Sequence, residues 1–204
     1  MRYKLANEIQ KLKLEEFIDR FEKLLPDEKT HNILIRGYFD DDKLLLTFEC
    51  LKDLKNFYEG VLVIGNTTVS YEEEFLRKGL RTTSIGKLNL SDSFNINGLS
   101  IKFLQWKRNK DFAFGFNMDF AIFHPVESVL HNKDFSKFCA TLNNSKAKKN
   151  ILITTNDFND IPEKLYPYID EILILDTTDL NKKHQQTYKV IQDNLNTKHR
   201  TLPY

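Results

Sequence analysis

One stretch of the chain has the spacing of a phosphate-binding loop. Asn32-Ile-Leu-Ile-Arg-Gly37-Tyr-Phe-Asp-Asp-Asp-Lys43-Leu44 leads from an apolar strand pattern to a glycine, four further residues, position 42 and a lysine. In the pattern GxxxxGK[ST], backbone N–H groups freed by the glycines wrap the phosphates. The lysine reaches the terminal phosphates and the hydroxyl holds Mg²⁺. Gly37 and Lys43 keep their places here, but Asp42 replaces the second glycine and Leu44 the hydroxyl. Asp40, Asp41 and Asp42 put three carboxylates where a polyphosphate would lie. Like charges about 4 Å apart repel by about 4 kcal/mol at an effective dielectric of about 20. The loop is therefore expected to exclude ATP, and no cofactor is expected. For Lys43 the alternatives are a first-turn helix position on a solvated face and a salt bridge to the Asp run.

A second stretch interleaves cations with an aromatic ring: Lys102, Trp106, Lys107, Arg108 and Lys110. Phosphate pairing and base stacking on such a stretch can grip single-stranded nucleic acid. The alternative is an exposed loop balanced by Asp111. The five histidines show no HxH or HExxH spacing. Only His124 and His131 are near each other, either as a metal pair on a helical Pro125–Leu130 or as capping groups. Cys50 and Cys139 lack CxxC spacing and read as two reduced, buried thiols. Nothing anchors Ser/His/Asp catalysis.

These residues need elements to hold them. The chain has 204 residues, 41% of them apolar and 29% charged, enough for a packed core. A net charge of +1 leaves no global field for nucleic acid or anionic lipid. Residues 5–25 carry a helical apolar stripe ended by Pro26. Short apolar runs follow at Asn32–Ile35, Val61–Ile64, Ile101–Leu104, Phe120–Phe123, Ile151–Thr154 and Ile172–Leu175. They do not alternate clearly, the habit of strands buried on both faces of a parallel sheet. Helical patterns at Lys43–Asn56, Tyr71–Leu80, Asp134–Asn143 and Pro162–Tyr168 separate most of them. The region from about 82 to 118 reads as a hairpin or irregular insertion. The spacing thus predicts a three-layer α/β fold with a mostly parallel sheet and an N-terminal helix. No apolar run is long enough to span a membrane, and a cytoplasmic protein, or a nuclear one in a eukaryote, is expected.

The order of the pieces resembles the RecA-like ATPases, most closely the single-domain KaiC-like and RadA-paralog branch, over about residues 30–177. The degenerate loop and its helix are followed by Gly60-Val-Leu-Val-Ile-Gly-Asn-Thr-Thr68. Met118-Asp-Phe-Ala-Ile-Phe-His124, Asn150-Ile-Leu-Ile-Thr-Thr-Asn156 and Tyr168-Ile-Asp-Glu-Ile-Leu-Ile-Leu175 complete the series. The resemblance implies that the strand ending in His124 stands where the Walker B strand ends in its metal-holding Asp. Glu127 is the nearest counterpart of the water-polarising Glu. With these groups changed, phosphoryl transfer lacks its electrostatic support. The resemblance implies a single RecA-like domain over 1–204, with an N-terminal helix in 1–28, a core in 30–177 and a C-terminal helix and tail in 178–204. It also implies a pseudo-ATPase, a regulatory or structural partner of an active RecA-family ATPase in DNA recombination or repair, with weak DNA contact through Lys102–Lys110.

Two other resemblances compete. Gln105-Trp-Lys107 is similar to the QxK strand of Mrr-like PD-(D/E)xK nucleases, which implies a metal-dependent DNA endonuclease using Asp92, Gln105 and Lys107. That core would be a mixed sheet with Asp92 and Gln105 converging. Thr154-Thr-Asn-Asp157 and the residues after it resemble the sensor strand of a non-catalytic clamp-loader-type AAA+ subunit, though about 28 residues are too few for its lid domain.

Overall fold

The computed structural model describes residues 9, 11–65, 67–81, 85–90, 92–108, 117–155, 157–198 and 201–204. Eight strands form one sheet. They are β1 (Lys11–Leu12), β2 (Asn32–Gly37), β3 (Glu59–Ile64), β4 (Ser93–Ile96), β5 (Leu99–Gln105), β6 (Phe120–His124), β7 (Lys149–Ile153) and β8 (Glu171–Leu175). Their spatial order is β1-β8-β2-β7-β6-β3-β5-β4. Every pairing is parallel except the β4–β5 hairpin at one edge. The helices are α1 (Leu14–Leu24), α2 (Asp40–Lys52), α3 (Val69–Gly79), α4 (Asn132–Asn143) and α5 (Lys182–Thr197). Short 3₁₀ segments at Trp106–Arg108, Val126–Val129 and Ile161–Tyr168 complete the described elements. This is the expected three-layer α/β fold of RecA-like type with a mostly parallel sheet.

The apolar runs alternate between two cores, one per face. Ile33, Ile35, Leu62, Ile64, Ile122, Ile151 and Ile153 point toward α1, α2 and α3, where they meet Phe17, Phe21, Leu44, Phe48, Phe75 and Leu76. Leu34, Val61, Val63, Phe123 and Leu152 point the other way, toward Phe138 and Leu142 of α4, Val129 and Leu165. The interior strands β2, β3, β6 and β7 feed both layers, so a buried polar group in them needs a partner. That is the physical reason these runs lack period-2 polarity.

Local chemistry fixes the element ends. In α1, Phe17, Phe21 and Leu24 recur at helical spacing and are buried, and the Lys13 N–H donates to the Glu16 carboxylate at 3.0 Å. The Thr68 hydroxyl caps α3 by accepting from Tyr71 N–H at 3.2 Å, and the Asn181 amide oxygen caps α5 by accepting from His184 N–H at 3.0 Å. Of the helix expected over 5–25, residues 5–8 and 10 lie outside the described residues; Lys11 and Leu12 pair with Ile174 and Leu175 of β8, and the helix runs over Leu14–Leu24. The hairpin expected within 82–118 is β4–β5; residues 82–84, 91 and 109–116 lie outside the described residues.

Gly37 turns the chain from β2 into α2 at φ +149°, and a Cβ there would lie 2.6 Å from the Leu175 carbonyl oxygen. Only glycine fits a corner with that φ and that close approach. The strand connections diverge next to it: β2 leads away to β3 on one side, and its neighbour β7 leads back over β2 to β8 on the other. The carboxyl ends of β2 and β7 therefore flank a topological switch point, where open α/β sheets bind ligands.

Candidate functional site: a crevice filled from within

α2 starts at Asp40, three residues before Lys43, so only Tyr38 and Phe39 separate it from β2. A loop of that length cannot wrap a phosphate. The run Asp40-Asp41-Asp42 is the first helical turn, where carboxylates offset the dipole and the unpaired N–H groups, and no side chain caps Phe39. The expected loop start is thus corrected: its acidic residues belong to the helix.

Lys43 is corrected as well, against both the solvated face and the salt bridge to the Asp run. It is fully buried, and its ammonium donates to the carbonyl oxygens of Gly37 at 2.6 Å and Thr155 at 2.5 Å. One carbonyl belongs to the end of β2, the other follows β7, so the side chain bridges the switch point. Burial pushes its pKa down, opposed by the charges of Asp40, Glu127, Asp157 and Asp42. Leu44, in the hydroxyl position, is fully buried in the core beneath α2 and contributes nothing to the crevice.

His124 ends β6 one strand further along, fully buried and stacked on Phe75 with ring centroids 4.2 Å apart. Its Nδ1 lies 2.8 Å from Glu72 and its Nε2 3.3 Å from Asp40. Burial alone would lower its pKa. The Glu72 charge and the hydrogen bonds to Asp40 and Glu72 outweigh that and raise it to about 10. At neutral pH the ring is an imidazolium donating from both nitrogens, so an internal cation sits between two carboxylates. His131 is exposed at the start of α4, apart from the buried His124, so the alternative of a metal pair between the two is not formed. Glu127 accepts from Thr155 N–H at 2.7 Å and from the Thr155 hydroxyl at 3.2 Å, and burial holds its carboxyl above the usual range.

Arg36, on β2, makes the other buried ion pair of the crevice. Its guanidinium binds Asp157 through Nε at 2.6 Å and Nη2 at 2.9 Å, with both side chains fully buried. The Tyr166 hydroxyl and the Asn159 carbonyl accept its other hydrogen bonds, and the Glu163 carboxylate lies 3.8 Å away. Two parallel N–H···O bonds match the guanidinium fork to the carboxylate. On the helix side, Asp42 accepts from the Thr177 hydroxyl at 2.5 Å and lies 2.9 Å from His184 Nε2, tying α2 to the residues after β8 and to α5.

The sequence pointed to Gly37, Asp42, Lys43 and His124, and the fold brings them to this one edge. Their partners Glu72 and Thr155, and the buried pair Arg36–Asp157 beside them, escaped because the pairings span long stretches of sequence and the residues look ordinary. One signal was present: Arg36 directly follows the apolar run Ile33–Ile35, and a charge inside a buried strand needs a partner.

The nucleic-acid stretch is only partly as expected. Trp106 is 2% exposed, packed on Phe138 with centroids 5.6 Å apart and overlain by the Lys137 ammonium at 4.8 Å. It is therefore corrected from a base-stacking platform to a core residue of the α4 layer. Lys102, Lys107 and Arg108 are exposed. Lys110 and Asp111 lie outside the described residues, as does Asn156. The sheet is parallel except for the β4–β5 hairpin at one edge; Asp92 immediately precedes β4 and Gln105 ends β5. Asp92 accepts a local 2.9 Å hydrogen bond from the Asn89 amide, and the described residues contain no cluster of three or more His, Cys, Asp or Glu side chains arranged to hold a metal ion.

A groove of about 800 Å³ opens beside the crevice, between the start of α2, the end of α3 and α5. Phe39, Leu45 and Phe75 line it together with Asp41, Lys78 and Lys183. No described helix is long and apolar enough to cross a membrane. Comparison of the chain with protein-family models, curated proteins and solved structures finds no match at the similarity that would mark kinship.

Proposed function

We propose that the chain is a non-hydrolysing RecA-like domain, a pseudo-ATPase that serves as a regulatory or structural partner of an active RecA-family ATPase in DNA recombination or repair. One observation carries the non-hydrolysing part. At the switch point the positions that would face a nucleotide are engaged by the protein itself, Lys43 by two carbonyls and His124 by two carboxylates. A triphosphate would have to displace a buried lysine from both acceptors and approach three helix-turn carboxylates. The partner and pathway rest on the resemblance of the strand series, and fold alone does not fix function. Weak DNA contact through Lys102, Lys107 and Arg108 remains part of the proposal, as phosphate pairing without stacking.

The test is thermal. Melting of the chain is followed with ATP, ADP and no nucleotide, each with Mg²⁺. No shift is expected. A stabilisation abolished by Lys43→Ala would overturn the non-hydrolysing reading. Affinity capture from the native host that recovers no RecA-family ATPase would overturn the partner reading.

A further inference from the structure

The mouth of the crevice is closed by the segment Thr201–Tyr204. The Tyr204 ring stacks on Tyr38 with centroids 5.1 Å apart and lies 4.9 Å from the Arg36 guanidinium. The Lys11 ammonium lies 5.7 Å from the same ring and 5.9 Å from that of Tyr38. The Tyr204 hydroxyl reaches Asp157 at 3.3 Å, and its carbonyl accepts from the Tyr38 hydroxyl at 2.9 Å. The ring thus has an aromatic face, two cations and a carboxylate acceptor arranged around it, which suits a phenol and little else.

The slot and its occupant are held very differently. Arg36 sits in an interior strand and is neutralised by the bidentate Asp157, with Tyr166, Asn159 and Glu163 around it, so its charge is balanced without Tyr204. Tyr38 also packs on Phe158 and Tyr188. The segment 201–204 lies in no helix or strand, and among the described residues it makes no backbone–backbone hydrogen bond. Its hydrogen bonds are one through the Tyr204 hydroxyl and one through the Tyr204 carbonyl, while Leu202 and Pro203 are partly buried.

We infer that Tyr38, Arg36 and Asp157 form a docking slot for a tyrosine-bearing peptide segment, and that Thr201–Tyr204 occupies it in cis as a detachable plug. With the plug seated, the charged pair at the carboxyl ends of β2 and β7 is covered. With the plug released, the same slot is open to a tyrosine presented by another chain. The inference does not depend on the absence of ATP binding.

The test uses the 204-residue chain and a fluorescent peptide with the sequence of residues 198–204. In the wild type, the tethered segment competes at an effective concentration on the order of millimolar. The peptide is therefore expected to bind the Tyr204→Ala chain at least about tenfold more tightly than the wild type. A peptide carrying the same Tyr→Ala change is expected not to bind. Equal affinity for both chains, no binding to the Tyr204→Ala chain, or unchanged binding of the altered peptide would each overturn the inference. Hydrogen exchange on the wild type gives a check free of any variant. The amides of Leu202 and Tyr204 should exchange at least about a hundredfold faster than those of β2, and equal protection would overturn the plug.

Discussion

The ammonium of Lys43 lies 2.5 Å from the carbonyl oxygen of Thr155, a residue 112 positions later in the chain. Through its second bond to Gly37, that one side chain joins the carboxyl ends of β2 and β7 across the place where the sheet's connections diverge. Lys43→Ala removes both bonds and leaves two carbonyls without this donor. A loss of about 2–4 kcal/mol in unfolding free energy is expected by chemical denaturation. ATP affinity should be the same in wild type and variant.

His124 supplies a pH dependence whose direction is fixed. Its folded pKa, about 10, is raised above the ordinary histidine value of 6.5. The stabilisation is fully present below about pH 6.5 and is lost as pH rises through 10. Within that window the slope is at most about 1.4 kcal/mol per pH unit. Denaturation at pH 7, 8 and 9 should show stability falling in the wild type, and the fall should flatten in His124→Gln.

Arg36 and Asp157 should behave as a coupled pair. Asp157→Ala leaves a buried guanidinium without its counter-ion and should cost about 3–5 kcal/mol. Replacing both by apolar residues of similar size, Arg36→Met with Asp157→Leu, should recover most of that loss. A double-mutant cycle in denaturant checks this. A double variant as unstable as the single one would show that the pair contributes beyond mutual neutralisation.

Trp106 and the exposed cations near it separate packing from nucleic-acid contact. Trp106→Ala should destabilise by about 3–5 kcal/mol through the cavity it leaves. Single-stranded DNA affinity should be unaffected where the variant is folded. Lys107→Ala with Arg108→Ala should barely change stability, and should weaken DNA binding and flatten its salt dependence by about one to two released ions. Titrations at several salt concentrations measure both.

Six strands were readable in the sequence because each holds a run of branched and aromatic residues, which a sheet covered on both sides demands; β1, two residues long, and β4, Ser93–Ile96, hold no such run. Two misreadings have one cause. The run Asp40–Asp42 and the stretch around Trp106 both looked like surface loops, since charge predominates in each. In the first, the charges belong to a helix start, where a dipole takes them up. In the second, Lys102, Leu104 and Trp106 follow one face of β5 and its 3₁₀ extension; Leu104 and Trp106 pack in the α4 layer, and Lys102, earlier in the strand, is exposed. The triad of His124, Glu72 and Asp40 was not legible because its members come from three elements, 52 and 84 positions apart. Only the order of strands in the sheet brings them together.

The two thiols occupy opposite layers, Cys50 on α2 and Cys139 on α4, and both are buried. Burial lifts the Cys50 thiol to about 12 and raises that of Cys139 as well, so neither is a thiolate at neutral pH. An alkylating reagent can therefore reach either one only when its own helix lifts away. The unmodified chain carries a chemical stopwatch on each side of its sheet, and the order in which the two are labelled tells which layer breathes first.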